Sequence, residues 1–184
     1  MLSFFSRHFC AVLLLASLTT FGAAVQAESK AALEQSSRQA LSLLIKDNPS
    51  ADALNDKAIA VLVFPKVTKA GLIVGGQYGE GVLWRDGKAV GFYNTAGASV
   101  GFQAGAQEFG YALFFMKDSA LKALDTAQGF EVGVGPSIVV MDKGMAVSRT
   151  TTTIQNDIYA FIFDQRGLMA GLGIQGNKIT KINK

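Results

Sequence analysis

The chain has 184 residues, 17 Lys+Arg against 14 Asp+Glu for a formal charge of +3, and only one His, one Cys and three Pro beside 20 Gly. A charge this small, with no run of basic residues, leaves no electrostatic footprint for nucleic acid. His8 and Cys10 both fall in the first ten residues, so the chain after them can build no Ser/His or Cys/His nucleophilic system, no disulfide and no His- or Cys-based zinc, haem or iron–sulfur site. Neither a cofactor nor a set of metal ligands is expected.

Met1 to Phe9 carries Arg7 and no acid, Cys10 to Thr20 is almost wholly apolar, and FGAAVQA (Phe21 to Ala27) places the small residues Val25 and Ala27 at −3 and −1. This is the pattern of a secretory signal peptide cleaved after Ala27. The apolar stretch is well short of the roughly 20 residues that span a bilayer. Cys10 lies inside that stretch and is no lipid-attachment site. The expected product is a single domain of residues 28–184, periplasmic or secreted and soluble or peripheral on a membrane.

Glu28 to Lys46 is Ala/Leu-rich, with Leu33, Ser37, Ala40, Leu41 and Leu44 near one helical face, and predicts an amphipathic helix packed on the core. Asp47-Asn48-Pro49 breaks it, and Ser50 is a cap for a short second helix through Lys57. Ala58 to Phe64 (AIAVLVF) is a continuous apolar run, which predicts a buried strand ended by Pro65. The segment PKVTKAG then reads as a loop. Arg85-Asp86-Gly87-Lys88 supplies a hairpin turn between two further strands. Asp118 to Ala127 predicts a helix capped by Asp118 or Ser119. Strands are expected at Phe130 to Met141, Met145 to Thr152, Ile154 to Phe163, Leu168 to Gln175 and Lys178 to Ile182. The fold class is α+β: one domain, with N-terminal helices packed on a strongly curved, mostly antiparallel, barrel-like sheet.

The glycines have a period of two. If Gly97 to Gln107 is a strand, Gly97, Ser99, Gly101, Gln103, Gly105 and Gln107 share one face, with Ala98, Val100, Phe102, Ala104 and Ala106 on the other. The division recurs with Gly75, Gln77, Gly79 and Gly81, and again with Gly171, Gly173 and Gln175. Two readings of this Gly/Gln surface stand side by side. Glycine permits tight curvature and close approach of a second backbone, and the same surface can be a polar groove for an extended ligand or a headgroup. The groove candidates are Gly75, Gln77, Gly79, Gly101, Gln103, Gly105 and Gln107.

Lys66 and Lys69, three apart, lie on one side if Val67 to Ala70 forms a helical turn, and could then hold a phosphate as point charges. Trp84 with Arg85 and Lys88 marks the hairpin as a membrane-interface candidate, although an amphipathic aromatic can equally close the end of a core. No Gly-rich phosphate loop is present. The remaining enzymatic option is a carboxylate pair drawn from Glu80, Glu108, Glu131 and Asp157, as in glycoside hydrolysis, and nothing in the sequence brings any two together. No catalytic residue is assigned.

AVLVFPKVTKAGLIVGGQYGEGVLW (Ala60 to Trp84), GASVGFQAGAQ (Gly97 to Gln107) and NDIYAFIFDQRGLMAGLGIQG (Asn156 to Gly176) closely resemble the SYLF domain, a lipid-binding domain also described as actin-binding after its yeast members. The likeness extends from about Leu33 to Ile182. It implies a non-enzymatic module that binds phospholipid or phosphoinositide and has anionic phospholipids or a membrane surface as partner. Actin binding is not expected of an exported chain, which also lacks an SH3 or FYVE partner domain. The competing expectation is a protein-interaction or structural module whose Gly/Gln surface receives an envelope protein.

Overall fold

The computed structural model describes residues 28–71, 74–100, 105–126, 129–131, 136–141, 156–167 and 177–184. The signal-peptide reading falls on 1–27, outside the described residues, as do the strands expected at Met145 to Thr152 and Leu168 to Gln175. Three helices and eight strands are present among the described residues. None of these helices is long and apolar enough to cross a membrane.

Helix α1 (Lys30–Asp47) starts at Ser29, whose side chain accepts from Ala32 N, and buries Leu33, Ser37 and Leu44 on the predicted face. Asn48 then ends one helix and starts the next. Its Oδ1 accepts from Ser50 N at 2.9 Å and Ala51 N at 3.2 Å, so Asn48, not Ser50, caps α2 (Pro49–Asn55). Pro49 occupies the first turn, where its missing N–H leaves no intrahelical bond unmade.

Strand β1 (Ala60–Gly71) does not end at Pro65. Its register slips between Val63 and Lys66 against β2 (Val74–Arg85) and between Phe64 and Val67 against β4 (Gly105–Phe115). Pro65 therefore sits in a bulge, where a residue without an N–H does no harm to the ladder. The expected PKVTKAG loop and its helical turn are strand instead. Asp86 and Gly87, both at positive φ, turn β2 into β3 (Lys88–Val100), a two-residue hairpin as expected. The other correction concerns the strand read from Gly97 to Gln107. Gly97 lies in β3, which runs to Val100, while Gly105 begins β4, and the order β5-β8-β3-β2-β1-β4-β7-β6 sets two strands between them.

Helix α3 (Asp118–Leu124) follows β4, with Lys117 at its cap and no side-chain cap bond, so neither Asp118 nor Ser119 fills that role. Lys117 is held from outside by Asp157 at 2.7 Å. The sheet is completed by β5 (Phe130–Glu131), β6 (Ile138–Met141), β7 (Ile158–Gly167) and β8 (Lys178–Ile182). All pairings are antiparallel except β6 with β7.

The sheet has a core on each face. Helices α1 and α2 pack Leu33, Leu44, Ala51 and Leu54 on Val61, Val63, Val82, Trp84 and Phe114. On the other face, Leu62, Phe64, Val67, Tyr93, Tyr111 and Leu113 pack with Ala120 and Leu124 of α3. Phe130 and Ile138, from strands at opposite edges of the sheet, join this second cluster, so this face is the inside of a curled half-barrel.

Candidate functional site

Pairing carries the period of two across the sheet. On the inner face, Gly97 of β3, Gln77 of β2, Lys69 of β1, Gln107 of β4 and Gly167 of β7 stand side by side as one rung. Lys69 is placed there by its spacing of two from the core residue Val67, and Gln107 by the same spacing from Phe109. The next rung toward the strand ends carries Gly75, Gly71 and Gly105, which present no side chain. The rung below, Thr95, Gly79, Val67 and Phe109, opens the apolar core.

Lys69 is 5% exposed, and among the described residues no carboxylate pairs with its ammonium. It stands between two amide side chains, Gln77 and Gln107, at the cross-strand separation of about 5 Å that neighbouring side chains share. Asn177, just ahead of β8, turns its Oδ1 onto Gly97, where a Cβ would collide with it. Asn177, Thr95 and Gln107 are all buried. Among the described residues, the oxygens Asn177 Oδ1, Thr95 Oγ1 and Gln107 Oε1 have no hydrogen-bond partner. The result is an inner-face polar band one rung below the strand ends, with one cation and several unmet hydrogen-bonding groups.

Lys66 is not part of it. Three residues apart on a strand, the two lysines point to opposite faces. Lys66 is exposed and paired with Glu108 at 2.6 Å. Of the groove candidates, Gly75, Gln77, Gly79, Gly105 and Gln107 share the inner face, while Gly101 and Gln103 lie outside the described residues. Sequence reasoning missed Thr95 and Asn177. Thr95 was within reach, being two residues before Gly97. Only the antiparallel pairing of Ala96 with Lys178 brings Asn177 to this rung.

The hairpin candidates lie at the opposite end of the sheet, about 26 Å along β2 from Gln77. Trp84 is 6% exposed beneath α1. Its Nε1 donates to Ser37 Oγ at 2.9 Å, and Ser37 Oγ donates to Val63 O at 3.3 Å. The Arg38 guanidinium covers the indole ring at 4.3 Å and donates to Gly87 O. Trp84 therefore closes the end of a core. Arg85 and Lys88 remain exposed beside the turn.

Three of the four candidate carboxylates, Glu80, Glu108 and Asp157, are engaged locally. Glu80 accepts from Tyr78 OH and pairs with Lys184 at 2.5 Å, and Glu108 holds Lys66. Asp157 is held below the usual carboxylate range by the hydrogen bond from Lys117 and by Ser137 N. Asp125 is lowered chiefly by the phenol of Tyr93, which donates to it at 2.7 Å, with Lys181 on the same oxygen. Among the described residues, no group of three or more His, Cys, Asp or Glu could hold a metal ion.

Residues 96–184, from the end of β3 through β8, match a family model described as Ysc84: Las17-binding protein actin regulator. Over this segment the chain is similar to the SYLF, or Ysc84, family. The match is narrower than the likeness read from Leu33 to Ile182, and it covers Gly97, Gln107 and Asn177 but not Lys69 or Gln77. SYLF domains are lipid- and actin-binding modules, a family of binding domains. No curated protein matches the chain.

Proposed function

We propose that this SYLF-like protein is a non-enzymatic phospholipid-binding domain of the cell envelope, and that it takes an anionic headgroup on the inner face of its sheet at Lys69. The carrying observation is the buried Lys69 side chain, set between Gln77 and Gln107 with no carboxylate beside it among the described residues. A charged group drawn into a protein is stable only when paired and hydrogen-bonded. A phosphate offers the missing negative charge, and the amides offer it hydrogen bonds. On the outer face at the same end of the sheet, Ala70, Val74, Tyr78, Ala96 and Ala98 are exposed and uncharged, a surface compatible with lipid.

The absence of His and Cys after residue 10, together with the local pairing of Glu80, Glu108 and Asp157, supports a binding role over hydrolysis. The signal-like residues 1–27 support a periplasmic or secreted location, where actin is not a partner. The family description, which names a Las17-binding actin regulator, favours a second reading: a protein-interaction module using the same face.

Flotation with vesicles separates the two, since only lipid binding proceeds without a protein partner. Wild type should float with anionic vesicles, Lys69→Gln should bind about tenfold more weakly, as loss of a charge-assisted contact implies, and Lys66→Gln should bind like wild type. Equal binding by Lys69→Gln and wild type removes Lys69 from the site. No flotation at all favours the protein-interaction reading.

A further inference from the structure

Lys69 accounts for an anion, but it does not account for the oxygens around it. Gln107 Oε1 lies on the strand next to Lys69, while Asn177 Oδ1 stands over Gly97, two strands away on the other side, about 10 Å along the sheet. Thr95 Oγ1 is one rung below Gly97 on the same strand. All three side chains are more than nine-tenths buried, and among the described residues none of these oxygens has a partner. A carbonyl oxygen can only accept, and a threonine hydroxyl accepts as readily as it donates. A phosphate, which brings acceptors alone, would leave the amide oxygens as unmet as they are now. A fourth unpartnered oxygen, Tyr111 OH, lies about 13 Å deeper along β4 and stands apart from this group.

We infer that the ligand of this site is a phosphodiester whose alcohol carries hydrogen-bond donors, hydroxyl or ammonium, with the phosphate at Lys69 and the donors at Asn177 and Thr95. The inference rests on the anionic-headgroup reading above and narrows it. Glycerol, serine and ethanolamine headgroups have the required donors. Choline has none, because its nitrogen is fully methylated. The distance from Lys69 to the Gly97 position suits a small polar alcohol extending from the phosphate along the rung. Gly97 is needed there because a side chain would occupy the space taken by the Asn177 amide.

The test uses two lipids of equal charge that differ in donors. Phosphatidylcholine vesicles are doped with either phosphatidylglycerol or phosphatidylethanol, whose ethyl ester has no hydroxyl, and binding of the purified protein is measured by flotation. The expected result is about tenfold tighter binding to phosphatidylglycerol, the scale of one or two buried hydrogen bonds. In the double variant Thr95→Val, Asn177→Leu the preference should vanish while binding to phosphatidylethanol persists. That variant should fold, because replacing buried polar groups that lack partners by apolar ones of similar shape is tolerated, and its melting curve checks this. Equal wild-type affinity for the two lipids overturns the donor inference and leaves the anionic-headgroup reading standing. Binding to neither lipid overturns the anionic-headgroup reading itself. A preference retained in a folded double variant also overturns the assignment to Asn177 and Thr95. Water-soluble glycerophosphoglycerol supplies the last arm: if it binds as tightly as the vesicle, the donor-bearing phosphodiester stands and the bilayer is overturned as its source.

Discussion

Ser37→Ala tests how α1 is fastened to the sheet. Ser37 is fully buried, and its hydroxyl both accepts from Trp84 Nε1 at 2.9 Å and donates to Val63 O at 3.3 Å. Removing it leaves the buried indole N–H with no partner, which costs about 1 to 3 kcal/mol. The backbone oxygen of Val63 loses only a second, longer bond. Alanine returns about 0.5 kcal/mol of helix propensity relative to serine. The net loss is about 0.5 to 2.5 kcal/mol, which for a domain of this size lowers Tm by about 1 to 10 °C. Thermal unfolding followed by far-UV circular dichroism measures this directly. A cycle with Trp84→Phe isolates the bond: in the phenylalanine background Ser37→Ala should cost about 1 kcal/mol less, because no N–H remains to be stranded. An unchanged Tm, or the same cost in both backgrounds, would refute the claim that this hydrogen bond fastens the helix.

Trp84 is the only tryptophan, so its fluorescence reports one place. Buried under α1 and Arg38, it should show no shift of its emission maximum on adding anionic vesicles that bind the protein, and a blue shift would return the hairpin to the membrane. The phenols of Tyr93 and Tyr111 are pushed well above the ordinary value of 10.0, each first by burial and Tyr93 also by the adjacent Asp125. A raised phenol favours the fold fully below the unfolded value and loses that contribution as pH rises above it, since the unfolded chain ionises first. Tyrosinate absorbance from these two of the four tyrosines should therefore appear only together with loss of circular dichroism. Complete titration of all four near pH 10 with the fold intact would contradict their burial.

Much of the architecture was legible because the pattern was local. The face of α1, the Asp86-Gly87 turn and β8 at Lys178–Ile182 each follow from a short-range rule, and each is found where that rule puts it. The failures share a different cause. Pro65 ends a strand by local rules, yet the ladder on both sides slips at that point and absorbs it. That slip also moved the two lysines from a supposed loop onto opposite faces of one strand. Trp84 beside Arg85 and Lys88 looks amphipathic in sequence, but what covers the indole is α1, some 47 positions away. Contacts of that separation leave no trace in a window of ten residues.

The glycine period was visible, and its meaning was not, because two causes write the same letters. Below the polar rung, glycine is a packing requirement. A Cβ at Gly79 would lie 2.7 Å from Lys66 O and 2.8 Å from Val67 Cγ2, and one at Gly81 would lie 2.6 Å from Phe64 Cδ1. There the bulged β1 strand presses on β2, and no ligand is needed to explain the residue. On the rung itself Gly167 is again set by backbone, at φ 103° against Ala106 O, but Gly97 yields its space to an amide whose oxygen has no partner among the described residues. Alternating glycine along one strand cannot distinguish these cases, since the distinction lies in what the neighbouring strands bring to the same level. Gln77, Lys69 and Gln107 come from three strands, and Asn177 from the approach to a fourth. Only their convergence at Gly97's level separates the part of the pattern that shapes the sheet from the part that can receive a ligand.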